Sequence, residues 1–366
     1  MNTNVEALDN TTKKSASDEI RIPIQELKNI VCELLVANHL PSEQAEVIAD
    51  CFVEADACGV PTHGVAILPT HINKLRSGGY NLAPTFKVMR EGGAFSVINA
   101  DNAIGTVSAA YCMRYTMERC RRTGIFTVFS RNSNTYGPAF YYPLLAAQNG
   151  LIGITFCNSP AAMPAWNGKQ KLLGTNPFAM VVPCKTANPI IYDTATSKVA
   201  KSKINEARIK GEQIPLGWAL DEEGNPTTDP IEAIRGLVLP MGEHKGYGLA
   251  LTIDILAGVL SGAAFLNNVG KFYSEDNKCM DVGQAFIAID PVQIYGEEFY
   301  ELMDDYAATV HRSPGIYEKT VRLPGDNKAD KKRDSIENGV KLPMKTIEEL
   351  NQCLDESGLS VRLQSE

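Results

Sequence analysis

Ile125-Phe126-Thr127-Val128-Phe129, with Asn132-Ser133-Asn134-Thr135-Tyr136-Gly137 just behind it, decides how this chain is read. The first five residues are β-branched or aromatic and read as a buried strand. The next six are small and polar, a loop at that strand's end that opens a helix-like stretch near 138–149. Runs of the same strand character stand at 94–98, 151–156 and 178–182, and another helix-like stretch covers about 105–122. Strands alternating with helices predict a sheet with covering helices. No GxGxxG follows any of these strands, so the glycine-rich turn of a Rossmann nucleotide site is missing. If a nucleotide binds, some other arrangement of turns holds it, and the expected class is α+β, a mixed α/β chain.

Toward the N-terminus the period changes. Residues 22–79 read as three helices, the first carrying Leu27, Ile30, Val31, Leu34 and Leu35 on one face. The second places Val47, Ile48, Cys51, Phe52 and Ala55 at helical spacing and is stopped by Gly59 and Pro61. The third carries Val65, Leu68, Ile72 and Leu75 and closes at Ser77-Gly78-Gly79. Residues 1–20 are polar and expected to be a mobile tail. Beyond the strands come a long apolar helix at about 246–262, a strand-like run at 284–289 and a charged, helical C-terminal part. The expected division is a helical domain of 21–79 with 275–366, and a sheet domain of 80–274.

Composition narrows the partners. With 366 residues and 44% hydrophobic content the chain can bury a substantial core. Lys plus Arg number 35 against 43 for Asp plus Glu, a net charge of -8, which argues against nucleic acid. Nine cysteines without a CxxC, and no apolar leader, favour free thiols in a reducing cytoplasm. No cysteine or histidine pair has metal-ligand spacing, so no metal is expected. The longest apolar stretch, 249–265, is interrupted by Asp254 and reads as a buried helix, not a membrane span.

Gly59-Val60-Pro61-Thr62-His63-Gly64-Val65 puts one of five histidines on a tight loop between helices. Thr62 is a candidate N-cap, and His63 in the first turn would be held neutral by the positive dipole end. The plainer alternative is a helix-start residue bonded to backbone. Four other loops share this small, polar character: 132–137, 173–177 (Leu-Gly-Thr-Asn-Pro), 193–197 (Asp-Thr-Ala-Thr-Ser) and 242–248 (Gly-Glu-His-Lys-Gly-Tyr-Gly). Any one of them could be an ordinary turn. Five together point to a ligand site, and the cation at the start of the apolar helix suits a phosphate or ribose.

In this order, the motifs T-H-G-V (62–65), N-S-N-x-Y-G (132–137), L-G-T-N-P (173–177), D-x-A-T-S (193–197), G-W-A-x-D-x-x-G-N-P-T-T-D-P (217–230), H-K-G-Y-G-L (244–249) and L-P-G-D (323–326) resemble the malate/L-lactate dehydrogenase-like family. That group includes ureidoglycolate and sulfolactate dehydrogenases, diketogulonate reductase and piperideine-2-carboxylate reductase. The likeness runs from about residue 22 to 350. It implies an NAD(P)-dependent oxidoreductase with a non-Rossmann NAD(P)-binding fold, usually a homodimer, that interconverts a small polar ketone, 2-oxo acid-like, or an imine with its alcohol or amine by hydride transfer. Carried over by position, Ser159, Asp193, Thr194, Ala195, Lys245, Gly246, Gly325, Asp326 and Asn327 would contact the cofactor. Thr62, Ile67, Thr135 and Thr175 would contact a small-molecule substrate, and His63 would be the acid–base group. Two positions depart from the family. Ile67 stands where relatives carry an arginine that clamps a carboxylate, and Thr135 where they carry a second histidine. The alternative is therefore a dinucleotide-binding protein of this fold that has lost dehydrogenase activity. The basic run Lys328, Lys331, Lys332 and Arg333 reads as a solvated helix face or as contact for an adenosine phosphate, and leaves NAD and NADP both open.

Overall fold

Residues 19–272 and 278–364 are described in this computed structural model. The polar tail expected for 1–20 lies outside them except for Glu19 and Ile20, which open a strand, β1 (Glu19–Ile22). Three helices follow, α1 (Ile24–Ala37), α2 (Ser42–Ala57) and α3 (Leu68–Arg76). α1 buries the five residues that its spacing singled out. α2 ends as expected: Gly59 adopts φ +74°, and the Val60 N–H donates to the Ala55 carbonyl at 2.8 Å.

The third helix begins later than its pattern implies. Residues 61–63 and 65–67 form two short 3₁₀ turns, and Thr62 caps nothing. The cause is a competing acceptor, because the Val65 N–H donates to the Asp56 carboxyl at 2.7 Å. Gly64, extended at φ -95° and ψ -152°, separates the two turns. Regular α structure waits until Leu68, with Pro69 in the first turn.

The sheet elements come next: β2 (Lys87–Glu91), β3 (Phe95–Asn99), α4 (Gly105–Thr123), β4 (Ile125–Ser133), α5 (Tyr141–Ala147), β5 (Ile152–Cys157), β6 (Phe178–Val182) and β7 (Ile190–Thr194). α5 starts eight residues after β4 ends, so the 132–137 loop does not lead straight into it. A small lobe holds α6 (Lys201–Lys210), β8 (Ala219–Leu220), β9 (Pro226–Thr227), α7 (Pro230–Arg235) and β10 (Leu237–Val238). The apolar helix α8 (His244–Ile253) continues as a π turn over Asp254–Val259. Then come β11 (Val282–Ile289), α9 (Pro291–Ile294), α10 (Phe299–Arg312), α11 (Asp326–Asn338), β12 (Val340–Pro343) and α12 (Met344–Glu356).

Seven strands form one mixed sheet in the order β2-β3-β4-β11-β5-β6-β7, with only β3 and β4 parallel. β11 pairs with both β4 and β5 and so occupies the middle, although the chain pattern grouped it with the C-terminal helices. The boundary expected at 274/275 lies outside the described residues. β11 alternates between two cores. Phe286 and Ala288 face the main core, which includes α4 and α5 residues, while Ala285 and Ile287 join Ile253, Ala257 and Phe156 under α8. Each fully buried large side chain there contributes about 1.5–3 kcal/mol. β1 pairs antiparallel with β12, so the C-terminal part folds back beside the first helices.

Candidate active site

A cleft of about 120 Å³ opens where β4 and β5 end, and His63, Thr135, Ser159 and Thr175 all line it. Four of the expected site residues, from four separate loops, therefore meet around one space. His63 is exposed on its open side and crowded by protein on the other, and this partial desolvation holds its ring below the usual histidine range. The ring is thus neutral near pH 7, by burial and not by a helix dipole. Thr62 Oγ1 lies 3.0 Å from His63 Nδ1, which leaves Nε2 for a ligand.

Thr135 is held by its neighbour. Asn134 donates to the Asn102 side chain at 3.0 Å and to the Ala103 carbonyl at 2.9 Å, and accepts from the Met280 N–H at 3.2 Å. Gly105 lets α4 approach this loop, because a Cβ there would overlap the carbonyls of Asn134 and Thr135. The Thr175 carbonyl accepts from both the N–H and the Oγ1 of Thr196, each at 2.9 Å, which fixes the main chain under the side chain. The Ser159 N–H donates to Asn176 Oδ1 at 3.0 Å, and Asn176 Nδ2 donates to the Ala250 carbonyl of α8 at 2.9 Å.

Sequence reasoning missed several cleft residues. Asn158, Tyr136 and Cys157 line it as well. Asn158 donates to Asp254 at 3.1 Å and accepts from the Gly283 N–H at 2.9 Å, joining β5 to the π turn and β11. The signal was its place beside Ser159 in Cys157-Asn158-Ser159. Burial pushes the Cys157 thiol up to about 12, so it is no nucleophile at neutral pH.

The other expected residues lie away from the cleft lining. Thr62 reaches it only through His63, and Ile67, half-buried, packs against the main core. Asp193, the last residue but one of β7, is half-buried; burial raises its pKa, opposed by the Lys328 ammonium and the Phe140 N–H. Thr194 and Ala195 follow it, the Thr194 hydroxyl donating to the Ala195 carbonyl at 2.9 Å. The loop before α11 is stitched to the same strand: Ile191 N–H donates to the Pro324 carbonyl at 2.8 Å, and Gly325, at φ +109°, packs where a Cβ would press on Ile191. Asp326 accepts from the Leu323 N–H at 2.7 Å and meets His311 Nε2 at 2.8 Å, while Asn327 bonds to Arg322. β7 thus brings 193–195 and 325–327 to one edge. Lys245 is exposed in the first turn of α8, next to Gly246, whose missing Cβ avoids the Met241 carbonyl. A carboxylate, hydroxyls, an ammonium and close-packed glycine backbone suit a ribose and a diphosphate.

His71 is not a cleft residue; it is packed in the core against Phe52, Tyr80 and Phe272. A larger hollow of about 480 Å³ lies between β1 and the end of α11, but its Arg21 is engaged with Asp334 at 2.9 Å and nothing reactive converges there. Among the described residues no three His, Cys, Asp or Glu side chains gather to hold a metal, and no helix is long and apolar enough to cross a membrane.

The malate/L-lactate dehydrogenase family model matches residues 22–351, and the chain belongs to that family. It is an oxidoreductase. It is 35% identical to the malate dehydrogenase of Pyrococcus horikoshii over 353 residues, covering 93% of this chain and 96% of the relative. The solved structure of malate dehydrogenase from that organism superposes with a TM-score of 0.87 at 33% identity, covering 96% of this chain and 99% of the other. The chain is also 31% identical to the (2R)-3-sulfolactate dehydrogenase (NADP(+)) of Chromohalobacter salexigens (90% and 96% covered) and 30% identical to the ureidoglycolate dehydrogenase (NAD(+)) of Escherichia coli K12 (88% and 93%).

Proposed function

We propose that this enzyme interconverts a small polar ketone of the 2-oxo acid type, or an imine, with its alcohol or amine, with His63 as the acid–base group. One observation carries the reading: of the described side chains that line the cleft, His63 is the one imidazole, a ring that burial keeps neutral and able to exchange a proton with a bound ligand. The cofactor is NAD or NADP, both of which appear in the names of relatives. When bound, the dinucleotide supplies the hydride. Asp193 and Thr194 hold ribose hydroxyls, Lys245 and the backbone at Gly246 and at Gly325 to Asn327 hold phosphate and adenosine, and Ser159 supports the nicotinamide end. Thr135 and Thr175 orient the carbonyl. His63, anchored at Nδ1 by Thr62, passes a proton from Nε2 to the new alkoxide or amine.

We place the enzyme in the cytoplasm as a homodimer. Its nine cysteines are unpaired, and Ile255, Val259 and Leu260 form an exposed apolar face on and just after the π turn that a second subunit would cover. A second reading, a dinucleotide-binding protein without turnover, is favoured by Thr135 in place of the family histidine. The test is a screen of 2-oxo acids, cyclic imines and sulfonated ketones with NADH and NADPH, wild type beside His63→Ala. Turnover that falls by roughly 10²–10⁴ in the variant supports the proposal. A variant as active as wild type removes His63 from the chemistry, and a wild type inert to every compound favours the second reading.

A further inference from the structure

The loop that carries His63 is bonded mainly to itself. His63 N–H donates to Val60 at 3.0 Å, Gly64 N–H to Pro61 at 3.3 Å and Ile67 N–H to Gly64 at 3.2 Å, all within a few residues. Just past the histidine, Val65 is buried in the main core, and a buried carboxyl hydrogen-bonds its N–H. Asp56, in the last turn of α2 and 7% exposed, accepts the Val65 N–H through Oδ2 at 2.7 Å. Gly64 lies directly against the same carboxyl, where a Cβ would overlap both of its oxygens. Its Oδ1 has no hydrogen-bond partner among the described residues.

We propose that Asp56 is a positioning residue for the reaction, the seat on which Gly64 and Val65 rest so that the preceding His63 ring is presented to the cleft. The inference rests on the reading of His63 as the acid–base group. Asp56 acts through shape and one hydrogen bond, not through charge. An ionised carboxylate beside the loop would favour the imidazolium, yet the His63 ring is shifted the other way, and burial pushes Asp56 itself up to about 8, so it is neutral at working pH. A neutral acid still accepts the Val65 N–H through its carbonyl oxygen. Asparagine has the same outline and the same acceptor, so the seat should survive that exchange and be lost with leucine. Displacing a reacting group by about 1 Å can cost on the order of a hundredfold in rate, which is why a contact two residues from the histidine matters.

The experiment compares Asp56→Asn, Asp56→Leu and Gly64→Ala in the full chain. kcat is measured with the best 2-oxo acid of the screen, affinity by NADH and NADPH fluorescence, and the His63 ring by NMR of protein carrying ¹⁵N-histidine. The expected result is that Asp56→Leu and Gly64→Ala each lower kcat about tenfold or more and shift the His63 ring signals, while cofactor Kd moves less than about twofold. Asp56→Asn keeps at least about a third of kcat and the wild-type ring signals. If Asp56→Leu does not fold, Gly64→Ala probes the same contact from the other side. Wild-type kcat and ring signals in Gly64→Ala, or equal loss in Asp56→Asn and Asp56→Leu, overturn the proposal. Combining Asp56→Leu with His63→Ala separates the two readings. If the carboxyl acts through His63, the double variant is no slower than His63→Ala within about twofold, and additive losses overturn the positioning role. Full activity of His63→Ala alone would instead sink the acid–base reading, which the ring signals leave untouched.

Discussion

Asn176 holds Ser159 in place, its Oδ1 accepting the Ser159 N–H at 3.0 Å while its Nδ2 donates to the Ala250 carbonyl at 2.9 Å. One fully buried amide therefore ties the loop after β5 that carries Ser159 to α8, the helix that carries Lys245 in its first turn. Asn176→Ala would leave the Ser159 N–H unpaired, at a cost of about 1–3 kcal/mol, and would remove the side-chain tie to the Ala250 carbonyl, which keeps its helical bond from the Asp254 N–H. The expected outcome is a fall in thermal midpoint together with a roughly tenfold weaker NAD(P)H Kd. Weakened folding with unchanged cofactor affinity would mean that Ser159 and α8 do not share the cofactor.

Lys245 is tested separately, because it is exposed and can be changed without touching the core. Lys245→Ala should weaken NAD(P)H binding about tenfold, as expected for one charge-assisted contact to phosphate, and should flatten the dependence of Kd on salt. Fluorescence titration at two ionic strengths checks both. An unaltered Kd at low salt would take Lys245 out of the site.

Much of this was legible because the signals were local. The buried face of α1, the stop at Gly59 and the strand character of 178–182 follow from neighbouring residues, and so does the grouping of His63, Thr135, Ser159 and Thr175 into motifs. The misreadings come from contacts between distant segments. β11 is central because it pairs with β4, about 150 residues earlier, and no local pattern encodes that register. The start of α3 was misplaced because Asp56, nine residues upstream, captures the Val65 N–H. Asp56 did leave a trace, a carboxylate between Ala55 and Ala57 on an otherwise buried turn. Ile67, expected at the substrate, is half-buried and packs against the main core outside the cleft lining.

His71 gives the protein an acid-sensitive point. Its Nδ1 lies 3.0 Å from Tyr80 Oη, and burial, helped by the Lys74 charge, lowers its pKa to about 3 from 6.5. The unfolded chain therefore binds a proton between about pH 6.5 and 3 that the folded chain refuses, so stability falls as pH drops through that window. His71→Phe, which keeps the aromatic contact with Phe52, should flatten the fall. Urea midpoints at pH 7 and pH 5 measure it. A variant with the wild-type pH slope would assign the acid sensitivity to another group.

Thr135 bears on substrate class. The described residues that line the cleft include no cationic side chain, and Ile67 points its bulk into the core, so a second carboxylate on the substrate finds no charged partner there. A hydroxyl at position 135 can orient a carbonyl but does not exchange protons at neutral pH. Malate and oxaloacetate should accordingly be poor substrates, and a less charged or partly apolar ketone or imine a better one, since specificity follows differences in transition-state binding. Thr135→His places a titratable ring on the cleft that His63 also lines, on a loop that Asn134 already fixes. It should raise kcat/KM for a simple 2-oxo acid about tenfold, about 1.4 kcal/mol of transition-state stabilisation, with cofactor Kd unchanged. Wild-type protein that reduces oxaloacetate as fast as any other compound in the screen would show that a cation outside the cleft lining serves the second carboxylate, and the specificity argument from Thr135 would fall.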